Sequence, residues 1–434
     1  MKKINIGLIG FGTIGAGVVK TLRSKRAYLR DKSGIDINIV RICDKDLKSK
    51  RSVSVDKRLL TGSIGKVIYD PGVDIVVELI GGIEPAKYIV MESLRHGKSV
   101  VTANKALLSD SGPEIFTLAG ELGLSVGFEA SVGGGIPIIR AMKEGFIANR
   151  FDLVYGIING TSNFILSKMA EKKISFDEAL AIAKSKGYAE RDPYLDISGS
   201  DSAHKLSVLA SLGFGVAAKG SGIFTEGIAD IDRDDIEYAS EMGYAIKPLA
   251  IAKTSGDEIE LRVHPTLIAK THLLANVNGI YNAIFVKGDL VGENLFYGQG
   301  AGALPTSSAI ISDIVAIAKN TSVSCCGSQK ALDKCVLSVQ GASRIKKMED
   351  ICTRHYIKFI ALDKPGVLAK ISGILAKYHI SIASVTQKER CAGGDVPIVM
   401  MTHDSSEKDM SMALNEIRAL KVIGKKLVRI RVEN

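Results

Sequence analysis

The chain of 434 residues is too long for one ordinary hydrophobic core, so we expect two to four domains. Hydrophobic residues make up 46% and charged residues 24%, which is typical of a soluble globular protein, and no apolar run is long enough to predict a membrane span. The formal net charge of +10 comes from scattered lysines and arginines without a nucleic-acid motif, which favours small anionic ligands over nucleic acid.

The start of the chain and its cysteines point to a reducing compartment. The first residues lead straight into an apolar strand pattern rather than a signal peptide, so the cytoplasm is the expected location. The six cysteines include no C-x-x-C pair, so a zinc site is disfavoured and free thiols are expected.

The most specific early motif is G-F-G-T-I-G at residues 10–15, between an apolar run and a helical pattern. Gly10 permits a tight turn, Gly12 lets the backbone approach a pyrophosphate, and Gly15 lets the helix pack close to the strand. The motif therefore predicts a dinucleotide site, with a plain glycine-rich turn as the alternative.

A second β-rich run, residues 35–43, ends at Asp44, whose carboxylate could hold a ribose hydroxyl. Arg41 and Lys45 flank Asp44, so a 2′-phosphate could also be accepted. The pattern leaves both NADP and NAD open as the cofactor.

Three further predicted strands, at 74–80, 99–102 and 124–128, continue an open parallel sheet. Lys105 and Glu129 follow the last two of them, and ligands bind beyond the carboxyl ends of such strands. A solvated lysine is the alternative for Lys105.

Three later segments carry candidate binding motifs. The glycines at 133–135, beside Glu129, predict either an oxygen-ligated cation or a domain hinge. Residues 187–205 hold several carboxylates and a lysine, with Asp201 and Lys205 one helical turn apart. They could form a pocket for an ammonium-bearing substrate with a proton-donating lysine, or an ordinary helix start with a surface ion pair. A second glycine-rich loop, 296–306, is either a return to the cofactor or an interdomain turn.

Together these motifs resemble those of the homoserine dehydrogenase family, in order, over about three quarters of the chain. The matching segments are G-F-G-T-I-G at 10–15, V-V-T-A-N-K at 100–105, F-E-A-S-V-G-G-G-I-P at 128–137, N-G-T-S-N-F-I-L at 159–166, G-Y-A-E-x-D-P at 187–193, D-x-x-G-x-D-x-x-x-K at 196–205 and Y-G-x-G-A-G-A-L-P-T at 297–306.

The resemblance implies that Lys205 is the principal acid/base and that Lys105 assists at the substrate and the nicotinamide. The residues implied to hold the amino-acid substrate are Glu190, Asp196, Asp201 and Lys105. Those expected at the cofactor are Gly10, Phe11, Gly12, Thr13, Ile14, Gly15, Arg41, Lys105 and Gly302. The implied ligands of a sodium or potassium ion are Glu129 and the carbonyls of Val132, Gly134 and Ile136. Alanine is common in the family where Gly134 stands, which implies that this difference is harmless to a carbonyl ligand.

The tail has its own pattern: a strand at 356–362, a turn at 363–366, a helix at 367–378 and a strand at 379–385, with β-α-β to follow. Its D-x-P-G-V-L-x-x-I segment at 363–371 resembles an ACT domain. That resemblance implies pairing of modules between subunits and a small amino-acid effector, for which threonine is our first candidate; an oligomerisation module without a ligand is the alternative.

We therefore predict an α/β protein. Its segments would be a Rossmann-type nucleotide-binding domain at 1–130 completed by 303–320, an α+β catalytic and dimerisation domain at 131–302, a linker at 321–353 and a ferredoxin-like ACT domain at 354–434. The predicted enzyme is an NAD(P)-dependent oxidoreductase that interconverts L-aspartate 4-semialdehyde and L-homoserine in threonine and methionine biosynthesis, as a homodimer or homotetramer. The alternative from another class is a non-catalytic nucleotide-binding sensor of amino acids. Truncation after the linker is expected to leave catalysis largely intact.

Overall fold

The computed structural model describes residues 1–320, 344–388 and 394–433. The chain forms two compact units. The first comprises Met1–Val154, Ala203–Ile223 and the described part of Asn282–Ser343, and the second comprises Tyr155–Ser202, Phe224–Tyr281 and the described part of Arg344–Asn434. Among the helices in those described ranges, none combines the length and the apolarity that a membrane crossing requires.

The first unit begins with alternating strands and helices. In chain order they are β1 (Lys2–Ile9), α1 (Thr13–Ser24), α2 (Arg26–Ser33), β2 (Ile35–Cys43), β3 (Leu60–Thr61), α3 (Gly65–Ile68), β4 (Ile75–Glu78), α4 (Ala86–Arg95), β5 (Ser99–Thr102), α5 (Lys105–Leu122) and β6 (Val126–Gly127). The strands pair in parallel in the order β3-β2-β1-β4-β5-β6. This is the order of a Rossmann-type sheet.

The middle of the chain continues with further elements. They are α6 (Ile138–Arg140), β7 (Phe151–Ile157), α7 (Gly160–Lys172), α8 (Phe176–Ser185), α9 (Tyr194–Ile197), α10 (Ser200–Phe214), β8 (Phe224–Thr225), α11 (Arg233–Glu241), β9 (Tyr244–Ser255), β10 (Glu258–Ala269), β11 (Tyr281–Gly288), β12 (Gly292–Gln299) and α12 (Ala303–Asn320). Within the first unit, α12 packs on α1, and Ile310 and Ile314 share a core with Val18 and Val19. A Cβ at Gly17 would lie 2.8 Å from Ser307 Oγ, so glycine permits this close approach.

The tail completes the second unit. Its elements are β13 (Arg344–Ile345), β14 (Cys352–Leu362), α13 (Val367–Lys377), β15 (Ile382–Thr386), β16 (Asp395–Thr402), β17 (Ser405–Ser406), α14 (Glu407–Arg418) and β18 (Ile423–Glu433). The strand order β18-β14-β16-β15 gives the predicted ferredoxin-like ACT arrangement, so the predicted fold class is confirmed.

The tail sheet is continuous with the rest of the second unit. β18 pairs in parallel with β10, with Leu267 opposite Val432, and β10 forms an antiparallel hairpin with β9. One face of the tail sheet packs on α13 and α14 through residues such as Phe359 and Ile371. The other face packs on α7, α8 and α11 through residues such as Tyr356 and Ile430. Both faces and one edge of the tail sheet are therefore covered within the chain.

Most of the predicted linker, 321–343, lies outside the described residues, whereas 344–353 contains β13 and the start of β14. Cys325, Cys326, Cys335 and Cys391 lie outside the described residues as well. The two cysteines within them, Cys43 and Cys352, are free thiols, as expected.

Candidate active site

The glycine turn after β1 has the geometry of a phosphate-binding loop. Gly10 adopts φ +104°, and a Cβ there would lie 2.7 Å from the Leu79 carbonyl. A Cβ at Gly15 would collide with the Gly10 carbonyl oxygen, so glycine at this position lets α1 pack closely against the turn that follows β1. At Gly12, the N-cap of α1, a Cβ would have no atom of the described chain within 4 Å, which leaves open space beside the helix N-terminus. The residues present fit a pyrophosphate at this place.

Asp44 closes one side of this turn. Its Oδ2 accepts the Phe11 backbone N–H at 2.6 Å, and its Oδ1 accepts the Asp46 N–H at 2.8 Å. Arg51 Nη2 lies 3.6 Å from Asp44 Oδ1. Arg41 instead forms an ion pair elsewhere, with its Nε 3.1 Å from Asp70 Oδ2. Sequence reasoning singled out Arg41 and missed Arg51, although the basic run at 48–51 follows Asp44 closely.

Lys105 begins α5 at the carboxyl end of β5, where a polar network fixes the backbone before it. The fully buried Glu78 accepts the Thr102 hydroxyl at 2.6 Å, and Thr102 Oγ1 accepts the Asn104 N–H at 3.0 Å. Asn104 also caps α5 and donates from Nδ2 to the Gly82 carbonyl at 2.6 Å. The network therefore positions the start of the helix that carries Lys105.

A buried amide gathers two of the predicted substrate carboxylates. Asn159 Nδ2 donates to Asp196 Oδ1 at 2.7 Å and to Asp201 Oδ2 at 3.0 Å, while its Oδ1 caps α7. Asp201 lies on α10, one turn before the half-buried Lys205. Glu190 is exposed in the segment between α8 and α9. The motif N-G-T-S-N marked this region in the sequence, but not the contact of Asn159 with the carboxylates.

Glu129, the predicted cation ligand, is a buried helix-capping carboxylate. Its Oε1 and Oε2 accept the Ile139 and Arg140 N–H groups, each at 2.9 Å, and its own N–H donates to Asp313 Oδ2 at 2.8 Å. Burial raises the pKa of Glu129 and raises the pKa of Asp313 to about 7. Asp313 was missed by sequence reasoning, since it lies 184 residues further along the chain.

The glycine segment after Glu129 packs against the second glycine-rich loop. Gly134 adopts φ +57°, and a Cβ there would lie 2.5 Å from the Gly300 carbonyl oxygen. An alanine at this position would therefore overlap the second glycine-rich loop of this chain, while the role of the Gly134 carbonyl as a ligand stays a prediction. The Ile136 carbonyl accepts the Ile138 N–H at 2.8 Å, whereas nothing in the structure tests the carbonyl of Val132 as a ligand.

Gly302, with φ +118°, immediately precedes α12, and the Ala303 carbonyl lies against Gly17 of α1. The second glycine-rich loop thus leads into the helix that packs on α1. Across the described ranges, no group of three or more His, Cys, Asp or Glu side chains is arranged to hold a metal ion.

Comparisons with known proteins agree with this architecture. Residues 10–129 match the family model "Homoserine dehydrogenase, NAD binding domain", residues 137–315 match "Homoserine dehydrogenase", and residues 355–422 match "ACT domain". The homoserine dehydrogenase of Neisseria gonorrhoeae is 42% identical over 100% of this chain and 99% of the relative.

Solved structures extend the agreement to three dimensions. A homoserine dehydrogenase from Thiobacillus denitrificans has 43% identity and a TM-score of 0.91, covering 100% of this chain and 99% of that one. A hyperthermophilic archaeal homoserine dehydrogenase in complex with NADPH has 25% identity and a TM-score of 0.62, covering 73% of this chain and 98% of that one. These matches extend over the whole chain, so it belongs to the homoserine dehydrogenase family of NAD(P)-dependent oxidoreductases and carries a C-terminal ACT domain.

Proposed function

We propose that the chain interconverts L-aspartate 4-semialdehyde and L-homoserine as a step of threonine and methionine biosynthesis, in the cytoplasm. The observation that carries this proposal is the contact of Asn159 with Asp196 and Asp201 at the start of the helix that carries Lys205. Fixed carboxylates suit the ammonium group of an amino-acid substrate, and a lysine one turn away suits proton transfer at its other end.

The proposed roles follow from this placement. Asp196, Asp201 and the exposed Glu190 hold and orient the substrate ammonium. Lys205 gives a proton to the aldehyde oxygen during reduction and takes it back from the hydroxyl during oxidation, with Lys105 assisting. A nicotinamide cofactor, when bound, supplies or accepts the hydride at the carbon that carries this oxygen.

The direct test follows the nicotinamide absorbance band with homoserine and oxidised cofactor, using NADP and NAD in parallel. Homoserine-dependent reduction of either cofactor supports the proposal. Binding of cofactor and amino acid without turnover would instead support the non-catalytic sensor.

The glycine turn would hold the pyrophosphate through the backbone of residues 10–15, with contacts from Phe11, Thr13 and Ile14. We infer that Arg51 reads the adenosine ribose, because it lies beside Asp44 at the mouth of this turn. A guanidinium there suits a 2′-phosphate, which favours NADP over NAD. Replacing Arg51 by Gln should raise the KM for NADP at least several-fold and leave the KM for NAD nearly unchanged.

A monovalent cation, sodium or potassium, is proposed at Glu129 and the carbonyls of Val132, Gly134 and Ile136. One buried carboxylate with neutral carbonyl donors suits a single positive charge. Each carboxylate oxygen of Glu129 accepts one N–H group of α6, and its remaining lone pair would bind the cation. The test compares the thermal midpoint and activity in potassium, sodium and tetramethylammonium chloride at equal ionic strength. No difference among the three salts would remove the cation from the proposal.

The ACT domain is proposed to bind an inhibitory amino acid, threonine first among the candidates, and to pair with the same domain of another subunit. Gly366, with φ +88°, turns the chain into α13 after Asp363, and the helix start offers backbone N–H groups to a carboxylate. Since β18 is paired with β10, the edge available for pairing among the described strands is β15. Calorimetric titration with threonine, methionine and lysine, with light scattering for a dimer or tetramer, tests both parts.

A further inference from the structure

A short segment within residues 215–223 connects α5 and α10 in the first unit. The Gly220 N–H donates to the buried Ser109 Oγ at 2.8 Å, and Ser109 follows Lys105 by one turn of α5. On its other side, Gly220 lies against His204, the neighbour of Lys205 in α10. One glycine therefore contacts both helices within a turn of the two lysines.

Space, rather than backbone conformation, requires glycine at position 220. Its φ is outside the left-handed region, but a Cβ there would lie 2.5 Å from His204 Cδ2 and 3.0 Å from His204 Cα. Because one of these atoms belongs to the helix backbone, rotating the imidazole cannot fully relieve the overlap. Gly222, two residues further on, has no atom of the described chain within 4 Å of its Cβ position.

The same segment is fixed to each helix by polar contacts. Ser207 on α10 donates from Oγ to the Ala218 carbonyl at 2.5 Å, and Lys219 forms an ion pair with Asp110 on α5 at 2.8 Å. Beside these contacts lies a cavity of about 150 Å³ between the helices, lined by side chains that include Phe116 and Val208. The helices do not fill this space themselves, so the connecting segment determines their separation there.

We propose that Gly220, held by Ser109, is a positioning residue that sets the spacing of Lys105 and Lys205 for proton transfer. The inference rests on the proposed roles of these lysines. A Cβ at position 220 must move His204 by roughly 1 Å to reach ordinary van der Waals contact, and a displacement of that size near a reacting group can cost about 100-fold in rate.

The test compares Gly220→Ala with its matched control, Gly222→Ala, in the full chain. We expect Gly220→Ala to lower kcat about 10- to 100-fold. Its cofactor Kd should stay close to that of wild type, its thermal midpoint should fall because the added methyl group is overpacked against α10, and its solvent deuterium isotope effect on kcat should rise as proton transfer becomes slower. Gly222→Ala should keep its kcat, cofactor Kd and isotope effect within about twofold of wild type, and its thermal midpoint should not change.

Ser109→Ala is the second variant, since it removes the hydrogen bond without adding an atom. Like Gly220→Ala, it should lower kcat and raise the isotope effect. If Gly220→Ala fails to fold, the Ser109→Ala result alone tests the proposal. The proposal is overturned if folded Gly220→Ala keeps kcat within twofold of wild type, or if its cofactor affinity falls as much as its kcat. Two controls separate the two failures: a Lys205→Ala enzyme with kcat within tenfold of wild type would refute the lysine role on which this inference rests, whereas a wild-type chain that fails to reduce NADP or NAD with homoserine would refute the proposed function itself.

Discussion

Removing the tail should unfold the second unit, contrary to the expectation from sequence that truncation leaves catalysis largely intact. A chain ending at residue 343 would lose β18 from beside β10 and the tail side chains that pack on α7, α8 and α11. The tail side chains in this shared core are Tyr356, Val399, Met401, Val428, Ile430 and Val432. The segment is therefore part of the core and not an appended module.

The stability lost on truncation follows from the number of these buried side chains. Burial of each large apolar side chain contributes about 1.5–3 kcal/mol. Six of them together contribute about 9–18 kcal/mol, which is comparable to the ~5–15 kcal/mol net stability of a whole domain. A single substitution tests the same surface without removing the tail. Ile430→Ala, at a fully buried position, should lower the free energy of unfolding by about 2–5 kcal/mol. Leu368→Ala, on the exposed side of α13, should cost less than about 0.5 kcal/mol.

The assay is urea unfolding followed by circular dichroism and by residual activity. If the tail is integral, Ile430→Ala shifts the unfolding transition seen by both probes, and the truncated chain is unfolded or insoluble. A truncated chain that unfolds cooperatively near the wild-type midpoint and turns over homoserine would refute the reasoning. So would an Ile430→Ala variant in which only a separate, early transition moves.

Three further outcomes are expected. Lys205→Ala should lower kcat by about 10²–10⁴-fold and leave the cofactor Kd nearly unchanged, whereas activity within tenfold of wild type contradicts its role as acid/base. Glu190→Gln should raise the KM for homoserine more than that for cofactor, and equal effects would indicate a structural role. Burial lowers the pKa of Lys247 from 10.5 to about 8, so the folded state favours the neutral amine. Because the unfolded chain binds more protons between these two values, the free energy of unfolding rises as pH increases from about 8 towards 10.5. Relative to Lys247→Met, wild type should gain up to about 3 kcal/mol of unfolding free energy between pH 7 and 10.5, and parallel pH profiles would contradict this.

Local patterns were sufficient to predict the parts of the fold that depend on neighbouring residues. The turn at Gly10–Gly15 and the helix that follows it depend on backbone conformation and close packing within a few residues, and both are present. The predicted helix at 367–378 is present as Val367–Lys377, and the strand at 74–80 is present as Ile75–Glu78. Strand ends were less accurate, because pairing partners and not composition decide where a strand stops.

Contacts between distant segments were not predictable in the same way. Asn159 meets Asp196 and Asp201 across 37 and 42 residues, and Gly220 meets Ser109 across 111. No spacing rule predicts such pairs from a single sequence. The buried tail surface did leave a signal, since Tyr356, Ile357 and Phe359 place apolar side chains on both faces of β14. A strand that is apolar on both faces belongs to a sheet covered on both sides, which argues against an appended domain.

The same polar residues build local structure and assemble the site. Asn104 caps the helix that begins with Lys105, Asn159 caps α7 while it holds two carboxylates together, and Glu129 caps α6. A cap replaced by alanine costs about 1 kcal/mol of stability, but here the same change also releases the groups that the cap holds in place. Catalytic loss at these positions should therefore exceed what the stability loss alone explains. This double role accounts for motifs that identify the family readily in sequence while leaving the contacts of each residue to the structure.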